Sequence, residues 1–300
     1  MPPWRKSSRL EPFPLSTSIA QLLARDAARI GQALCLAAED AHSETQILLA
    51  HALGKSRAWV MAHGTDDASA VSLSRYSAWV ARRVAGEPIA YILGEREFYG
   101  LRLKVCEHVL IPRPETELLV DTALSHIPKT RPCKLLDLGT GSGCIALAIA
   151  VHASECQVLG ADASPKALSV AASNLQRHHV ENVDLLHSDW YEALGTMRFD
   201  LIVSNPPYIA ADDTHLAQGD LRFEPPMALT PGTNGLEAIE RIVTGARGYL
   251  REGGWLMLEH GHDQAQAVRE TLERNDFLDV AAVRDLVGIP RVSLGRAGPD

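Results

Sequence analysis

One stretch limits the fold more than any other: Leu135-Leu136-Asp137-Leu138-Gly139-Thr140-Gly141-Ser142-Gly143. A short apolar run ends in three glycines at alternate positions and passes at once into Cys144-Ile145-Ala146-Leu147, which reads as helix. Glycine adopts left-handed backbone freely. The spacing therefore predicts a tight strand-to-helix turn whose main-chain N–H groups a ligand can approach. It departs from the G-x-G-x-x-G of pyrophosphate-binding turns, and no Lys-Ser/Thr follows it as in a P-loop. The turn is one step of a strand–helix alternation that runs from Cys133 to the end of the chain. Residues 134–138, 157–161, 183–187, 201–204 and 255–259 read as strands. Residues 144–152, 165–178, 235–250 and 262–274 read as helices, and 279–284 and 291–295 as two more short strands. This pattern predicts an α/β domain with a largely parallel sheet covered by helices on both faces.

The first part of the chain has a different period. Ile19, Leu22, Leu23 and Ile30 share one helical face, with Gly31 placed to end or kink that helix. Ser43-Glu44-Thr45-Gln46 has the spacing of a capping box opening a second helix, which Gly54 would close. A third helix is expected over 72–84. Residues 16–86 thus predict a small helical bundle. Residues 87–111, with partial alternation around a Tyr99-Gly100 turn, predict a β-hairpin linker. The α/β domain then occupies 112–300. Residues 1–15 lack the apolar centre of a secretory signal and are expected to form a flexible tail.

Charge divides the chain in nearly the same place. Residues 1–110 carry 13 basic and 11 acidic side chains, and residues 111–300 carry 16 and 26, within a chain of net charge −8. A composition of 46% hydrophobic and 22% charged residues excludes a disordered chain. The acidic balance weighs against a general nucleic-acid binder. No apolar run approaches the ~18 residues of a membrane span. The five cysteines, Cys35, Cys106, Cys133, Cys144 and Cys156, have no metal or redox spacing, which fits reduced thiols in the cytoplasm and no bound metal.

Three further features carry chemistry. Asp162 ends the second strand about 20 residues beyond the glycine turn, where a carboxylate can accept both hydroxyls of a ribose. Its bland alternative is a cap for the helix beginning at Ser164-Pro165. Asp189-Trp190, after the third strand, offers an acceptor and a flat aromatic face suited to adenine, or simply a packing residue. Asn205-Pro206-Pro207-Tyr208 follows the fourth strand. Two prolines fix two φ angles and remove two donors, leaving carbonyls as acceptors. With the Asn205 side-chain carbonyl and the Tyr208 ring, the loop suits a planar NH2 group. Such a nitrogen is a poor nucleophile. Orientation against an activated methyl, and acceptors that stabilise the charge developing on nitrogen, supply the rate without a strong base.

Together these residues resemble the class I S-adenosylmethionine-dependent methyltransferases that modify planar amines. Gly94-Glu95-Arg96-Glu97-Phe98-Tyr99-Gly100, Leu110-Ile111-Pro112-Arg113-Pro114-Glu115-Thr116-Glu117, Gln218-Gly219-Asp220-Leu221-Arg222-Phe223-Glu224-Pro225 and Leu258-Glu259-His260-Gly261 look like the HemK/PrmC family over residues 16–296. The resemblance implies a helical substrate-recognition domain, a hairpin linker and a Rossmann-like methyltransferase domain with a seven-stranded mixed sheet. It implies N5-methylation of the glutamine in the Gly-Gly-Gln loop of class 1 peptide chain release factors, with no nucleic acid or membrane required. On that reading Gly139, Thr140, Gly141, Ser142 and Gly143 hold the methionine part of S-adenosylmethionine. Asp162 binds its ribose, Trp190 lies near its adenine, and Asn205 sits at the junction of cofactor and substrate. Asn205, Pro206, Pro207 and Tyr208 hold the glutamine amide, Asn205, Pro206 and Tyr208 being the catalytic set. Phe98, Arg113 and Glu115 line or brace the site, and Glu259 ends a strand where it could face the pocket. The alternatives are a glutamine of a large-subunit ribosomal protein, an exocyclic amine of DNA or RNA, and a non-catalytic cofactor-binding adaptor. The Arg113–Glu117 segment favours release factors over the ribosomal protein, the acidic catalytic half disfavours nucleic acid, and the intact Asn-Pro-Pro-Tyr loop disfavours the adaptor.

Overall fold

The computed structural model describes residues 17–67 and 70–299, without the side chains of Ala70 and Val71, so the expected 1–15 tail lies outside the described residues. The chain divides between Leu93 and Gly94 into two compact units.

The first unit holds helices α1 (Ile19–Leu34), α2 (Ala38–Leu53), α3 (Arg57–Ala62), α4 (Ala70–Val84) and α5 (Ile89–Leu93). Ile19, Leu22, Leu23 and Ile30 are buried with Leu48, Leu49, Val60, Tyr76 and Val80. Helix α1 passes through Gly31 and ends at Cys35, whose φ of 54° closes it in left-handed geometry. A capping box is present, at Ser18 and Gln21. The one expected at Ser43 is not: α2 already begins at Ala38, with Glu39 and Asp40 in its first turn. Ser43 and Gln46 instead share one donor, the Arg57 guanidinium, at 3.1 and 3.0 Å. Gly54 does close α2, at φ 64°.

The second unit opens with the hairpin β1 (Glu95–Phe98) and β2 (Leu101–Lys104). Tyr99 and Gly100 both have positive φ, 52° and 74°, as a two-residue hairpin turn requires. Then come α6 (Glu117–His126), β3 (Cys133–Leu138), α7 (Cys144–His152), β4 (Cys156–Asp162), α8 (Pro165–Arg177), β5 (Val183–His187), β6 (Phe199–Ser204), α9 (Pro226–Leu229), α10 (Glu237–Ala246), β7 (Leu250–Glu259), α11 (Ala265–Arg274), β8 (Phe277–Arg284) and β9 (Pro290–Ala297). Helix α6 was not expected from the sequence. Helix α10 is shorter than the apolar period suggested, because Leu250 already starts β7 beside Phe199.

The sheet order is β5-β4-β3-β6-β7-β9-β8, parallel except for β9, which runs antiparallel to β7 and β8. Strand β6 is buried at all six positions, as expected of a central strand covered on both faces. Chain order reverses between β3 and β6, so a crevice opens beyond their carboxyl ends. Leu138 pairs in register with Ser204, and the Ser204 hydroxyl donates to the Leu138 carbonyl at 2.7 Å. The glycine turn and the Asn-Pro-Pro-Tyr loop therefore leave neighbouring strands side by side.

One side chain of α8 locks this end of the sheet to the hairpin. Asn174, fully buried, accepts from the Lys104 N–H at 2.7 Å and donates to the Lys104 and Ser142 carbonyls at 3.1 and 2.8 Å. Asn174→Ala should leave three backbone groups unsatisfied and cost roughly 2–4 kcal/mol, read as a lower denaturant midpoint in urea unfolding.

Candidate active site

The turn after β3 is shaped from below by Asp137. Its buried carboxyl accepts from the Thr140 hydroxyl at 2.6 Å and from the Ala146 N–H at 3.2 Å. From above, the Ala161 carbonyl takes the N–H groups of Gly139 and Thr140 at 2.8 and 3.0 Å. Between these anchors Gly139, Gly141 and Gly143 all have positive φ, 72°, 57° and 80°. Gly143 is also required by packing, since a Cβ there would sit 3.2 Å from the Ala171 side chain.

Asp162 ends β4 with one oxygen accepting from the Gly141 N–H and the other from the Ser164 N–H, both at 2.8 Å. Each oxygen keeps a lone pair for a ligand hydroxyl. Ser164, not Asp162, is the N-cap of α8, and Asp162 accepts from the N–H of that cap residue. Burial raises the Asp162 carboxyl, against the two backbone bonds that lower it. Trp190 is half-buried in left-handed geometry at φ 51°, held through its carbonyl by the Ser188 hydroxyl at 2.9 Å, with its ring 3.8 Å from where a Gly139 Cβ would be.

Asn205 donates from Nδ2 to the Thr116 hydroxyl at 3.1 Å. Its Oδ1 is buried and has no protein partner. The Tyr208 carbonyl accepts from Gln264 Nε2 at 3.0 Å. Gly235 makes this possible, since a Cβ there would lie 2.5 Å from that carbonyl. The Tyr208 hydroxyl points at Glu259 Oε1, 3.4 Å away.

These groups surround one cleft of about 420 Å³. Gly139, Thr140, Gly141, Ser142, Asp162, Trp190, Asn205, Pro207 and Arg113 line it. Gly143, Pro206 and Tyr208 are not among its lining residues. Phe98 is a fully buried core residue, and Glu115 is solvent-exposed. Arg113 pairs with the buried Glu224, whose other oxygen accepts from the Ile111 N–H at 3.3 Å. That ties the segment before α6 to the loop after β6. Sequence reasoning did not single out Thr116, Asp137, Glu224 or Gln264. The first three stand inside quoted motifs, whereas nothing local marks Gln264.

The cleft thus combines a left-handed glycine turn, a carboxylate, an aromatic wall and the unpartnered Asn205 carbonyl. Comparison with known proteins decides the family. Residues 21–94 match the PrmC N-terminal domain and residues 115–221 the methyltransferase small domain. The chain is 50% identical over 253 residues to a release factor glutamine methyltransferase of Bordetella pertussis, covering 84% of this chain and 93% of that one. It is 43% identical over 260 residues to that of Escherichia coli, covering 87% and 94%. The chain belongs to the release factor glutamine methyltransferase family. A methyltransferase of Pyrococcus furiosus, 18% identical, shares the fold at a TM-score of 0.52, covering 74% of this chain and 100% of that one. The family makes this protein an S-adenosylmethionine-dependent methyltransferase, with the Rossmann-like class I fold expected from its sequence.

Two buried carboxyls give this family member a pH signature. Burial pushes Asp137 up to about 7. It does the same to Glu259, also to about 7, with Glu115 adding to the effect and the Thr116 and Tyr208 hydroxyls and Arg291 opposing it. A carboxyl whose folded pKa lies above its unfolded value stabilises fully below the unfolded value and loses that contribution as pH rises through the folded one. The contribution of these two groups to stability should therefore decline between about pH 4 and pH 7. Glu259→Gln should flatten part of that decline, gaining up to about 3 kcal/mol over the parent at pH 8 relative to pH 4. Urea midpoints of both proteins across this range check it.

Proposed function

We propose that the protein transfers a methyl group to the side-chain amide nitrogen (N5) of the glutamine in the Gly-Gly-Gln loop of class 1 peptide chain release factors, in the cytoplasm. The observation that carries the reading is the buried, unpartnered Oδ1 of Asn205, a residue that lines the cleft. Such an acceptor is costly unless a ligand donor meets it. The names of the relatives supply the substrate.

In this reading residues 139–143 hold the methionine part of the cofactor, Asp162 its ribose hydroxyls and Trp190 its adenine. When bound, S-adenosylmethionine supplies an electrophilic methyl on a sulfonium. Asn205 Oδ1 and the Pro206 carbonyl accept the two amide N–H groups, which fixes the nitrogen lone pair along one line. Proline at 206 and 207 stiffens that pair, so little ordering remains when substrate arrives. The Thr116 hydroxyl fixes which way Asn205 faces, keeping its oxygen rather than its NH2 toward the amide. As positive charge develops on nitrogen, the two acceptors stabilise it. The added proton can leave after transfer, so no strong base is needed at the loop. The helical unit over α1–α5 is the module proposed to recognise the release factor. No helix among the described residues is long and apolar enough to cross a membrane.

The test offers purified release factor, large-subunit ribosomal protein and DNA to the protein with labelled cofactor, and maps the label by mass spectrometry. Label on the Gly-Gly-Gln glutamine is expected; label on DNA or on the ribosomal protein alone rejects the substrate assignment. Asn205→Ala should lower kcat by at least a hundredfold with the fold intact, and near-parental turnover would reject the orientation mechanism. Asp162→Ala should weaken cofactor binding by about 1–3 kcal/mol in calorimetry, and unchanged affinity would reject the ribose role.

A further inference from the structure

The turn joining β8 to β9 is built with unusual care for one that exposes apolar side chains. Asp285 organises it: Oδ1 accepts from the N–H groups of Val287 and Ile289 at 3.1 and 2.9 Å, and Oδ2 accepts from Arg291 Nε at 3.1 Å. The Asp285 N–H donates to the Ile289 carbonyl at 2.8 Å, and the Gly288 N–H to the Asp285 carbonyl at 2.9 Å. Arg284 adds a bond to the Gly288 carbonyl at 2.7 Å. Gly288 takes the left-handed position at φ 86°. This frame holds Leu286 and Val287 out in solvent, 107% and 80% exposed. Nothing in the turn's geometry requires apolar residues at either position, where polar ones are the rule.

Its position gives the exposure a purpose. Val292 pairs with Glu259 and Arg284 with Pro290, so the turn stands beyond the carboxyl end of β7, the end of the sheet that carries the cleft. Arg291, which braces the turn through Asp285, also lies close enough for its charge to act on both Glu259 and Tyr208. One short chain of charged and polar groups thus links the loop proposed to hold the amide to the apolar tip. Met227, 58% exposed, adds an apolar residue to the rim of the same cleft.

We infer that the β8–β9 turn is a docking finger, whose Leu286 and Val287 rest on an apolar patch of the folded protein substrate beside the loop that carries the reactive glutamine. The inference rests on the reading of the cleft as a protein-glutamine site. Two side chains cannot by themselves hold a partner, since a stable interface buries about 800 Å² on each side. They suit a partner already anchored in the cleft, where rigid apolar contact raises affinity with little ordering cost. The same shortage of area argues against a second copy of this chain as the occupant.

The full-length protein and a Leu286→Ser/Val287→Ser variant test this with two substrates, the intact release factor and a short peptide carrying its Gly-Gly-Gln loop. The variant should raise KM for the intact factor about tenfold. Its kcat should stay within twofold of the parent, with unchanged cofactor affinity in calorimetry and unchanged peptide kinetics. An unchanged KM for the intact factor overturns the finger while leaving the activity standing. Equal losses with factor, peptide and cofactor reduce the turn to a structural role. A parent that dimerises in sedimentation, with a monomeric variant of parental KM, assigns the tip to self-association instead. If the parent methylates neither substrate, the activity reading falls and the finger with it.

Discussion

The geometry of the cleft rests on a carboxyl that never touches it. Asp137, next to last in β3, lies in the interior and collects the Thr140 hydroxyl and the Ala146 N–H, one from the turn and one from the first turn of α7. A strand entering a helix through three left-handed glycines has little intrinsic shape. These two bonds and the Ala161 carbonyl supply it, and they fix where the N–H groups of the turn and the end of β4 face. Gly160 on β4 shows how tight the fit is: a Cβ there would sit 2.9 Å from the Thr140 hydroxyl. Burial and bonding oppose each other at Asp137, and its raised pKa is the trace of that conflict.

The same device recurs at each loop around the crevice. Glu224 gathers Arg113 and the Ile111 N–H, and so ties the approach to α6 to the loop after β6. Glu259 lies under Tyr208, and Asp285 frames the outer turn. Acidic side chains inside or beneath loops hold the positions of N–H groups and cationic side chains drawn from other elements. Such groups are stabilising only as complete sets, because a buried carboxyl that loses its partner is costly. Several loops of the site thereby depend on electrostatic partners on other elements.

This explains what could be read from the sequence. The conformation of the glycine turn was legible because it is local backbone geometry, set by residue types at adjacent positions. Asp162 was legible for the same reason: its partners, Gly141 and Ser164, follow from a turn and a cap. Thr116, Glu224 and Gln264 act on residues 89, 111 and 56 positions away, so no local period announces them. Ser43 and Gln46 show the converse error. Their spacing is that of a helix start, but α2 had begun five residues earlier, and the pair serves the Arg57 side chain instead. Phe98, marked by its motif, proved to be core beneath the hairpin.

The braces also refine the charge argument with which the sequence first spoke against nucleic acid. Part of the surplus of 26 acidic over 16 basic residues in the catalytic half is interior. Asp137 and Glu259 are buried carboxyls with pKa near neutrality, Glu224 is matched by Arg113, and Asp200 by Arg131 and Arg251. Setting aside these four acids and three arginines still leaves 22 acidic against 13 basic residues. The catalytic half therefore keeps its acidic balance outside these buried pairs. On the proposed reading, that surplus acts against a phosphate-bearing substrate before contact, and the acceptors of the loop act on the amide afterwards.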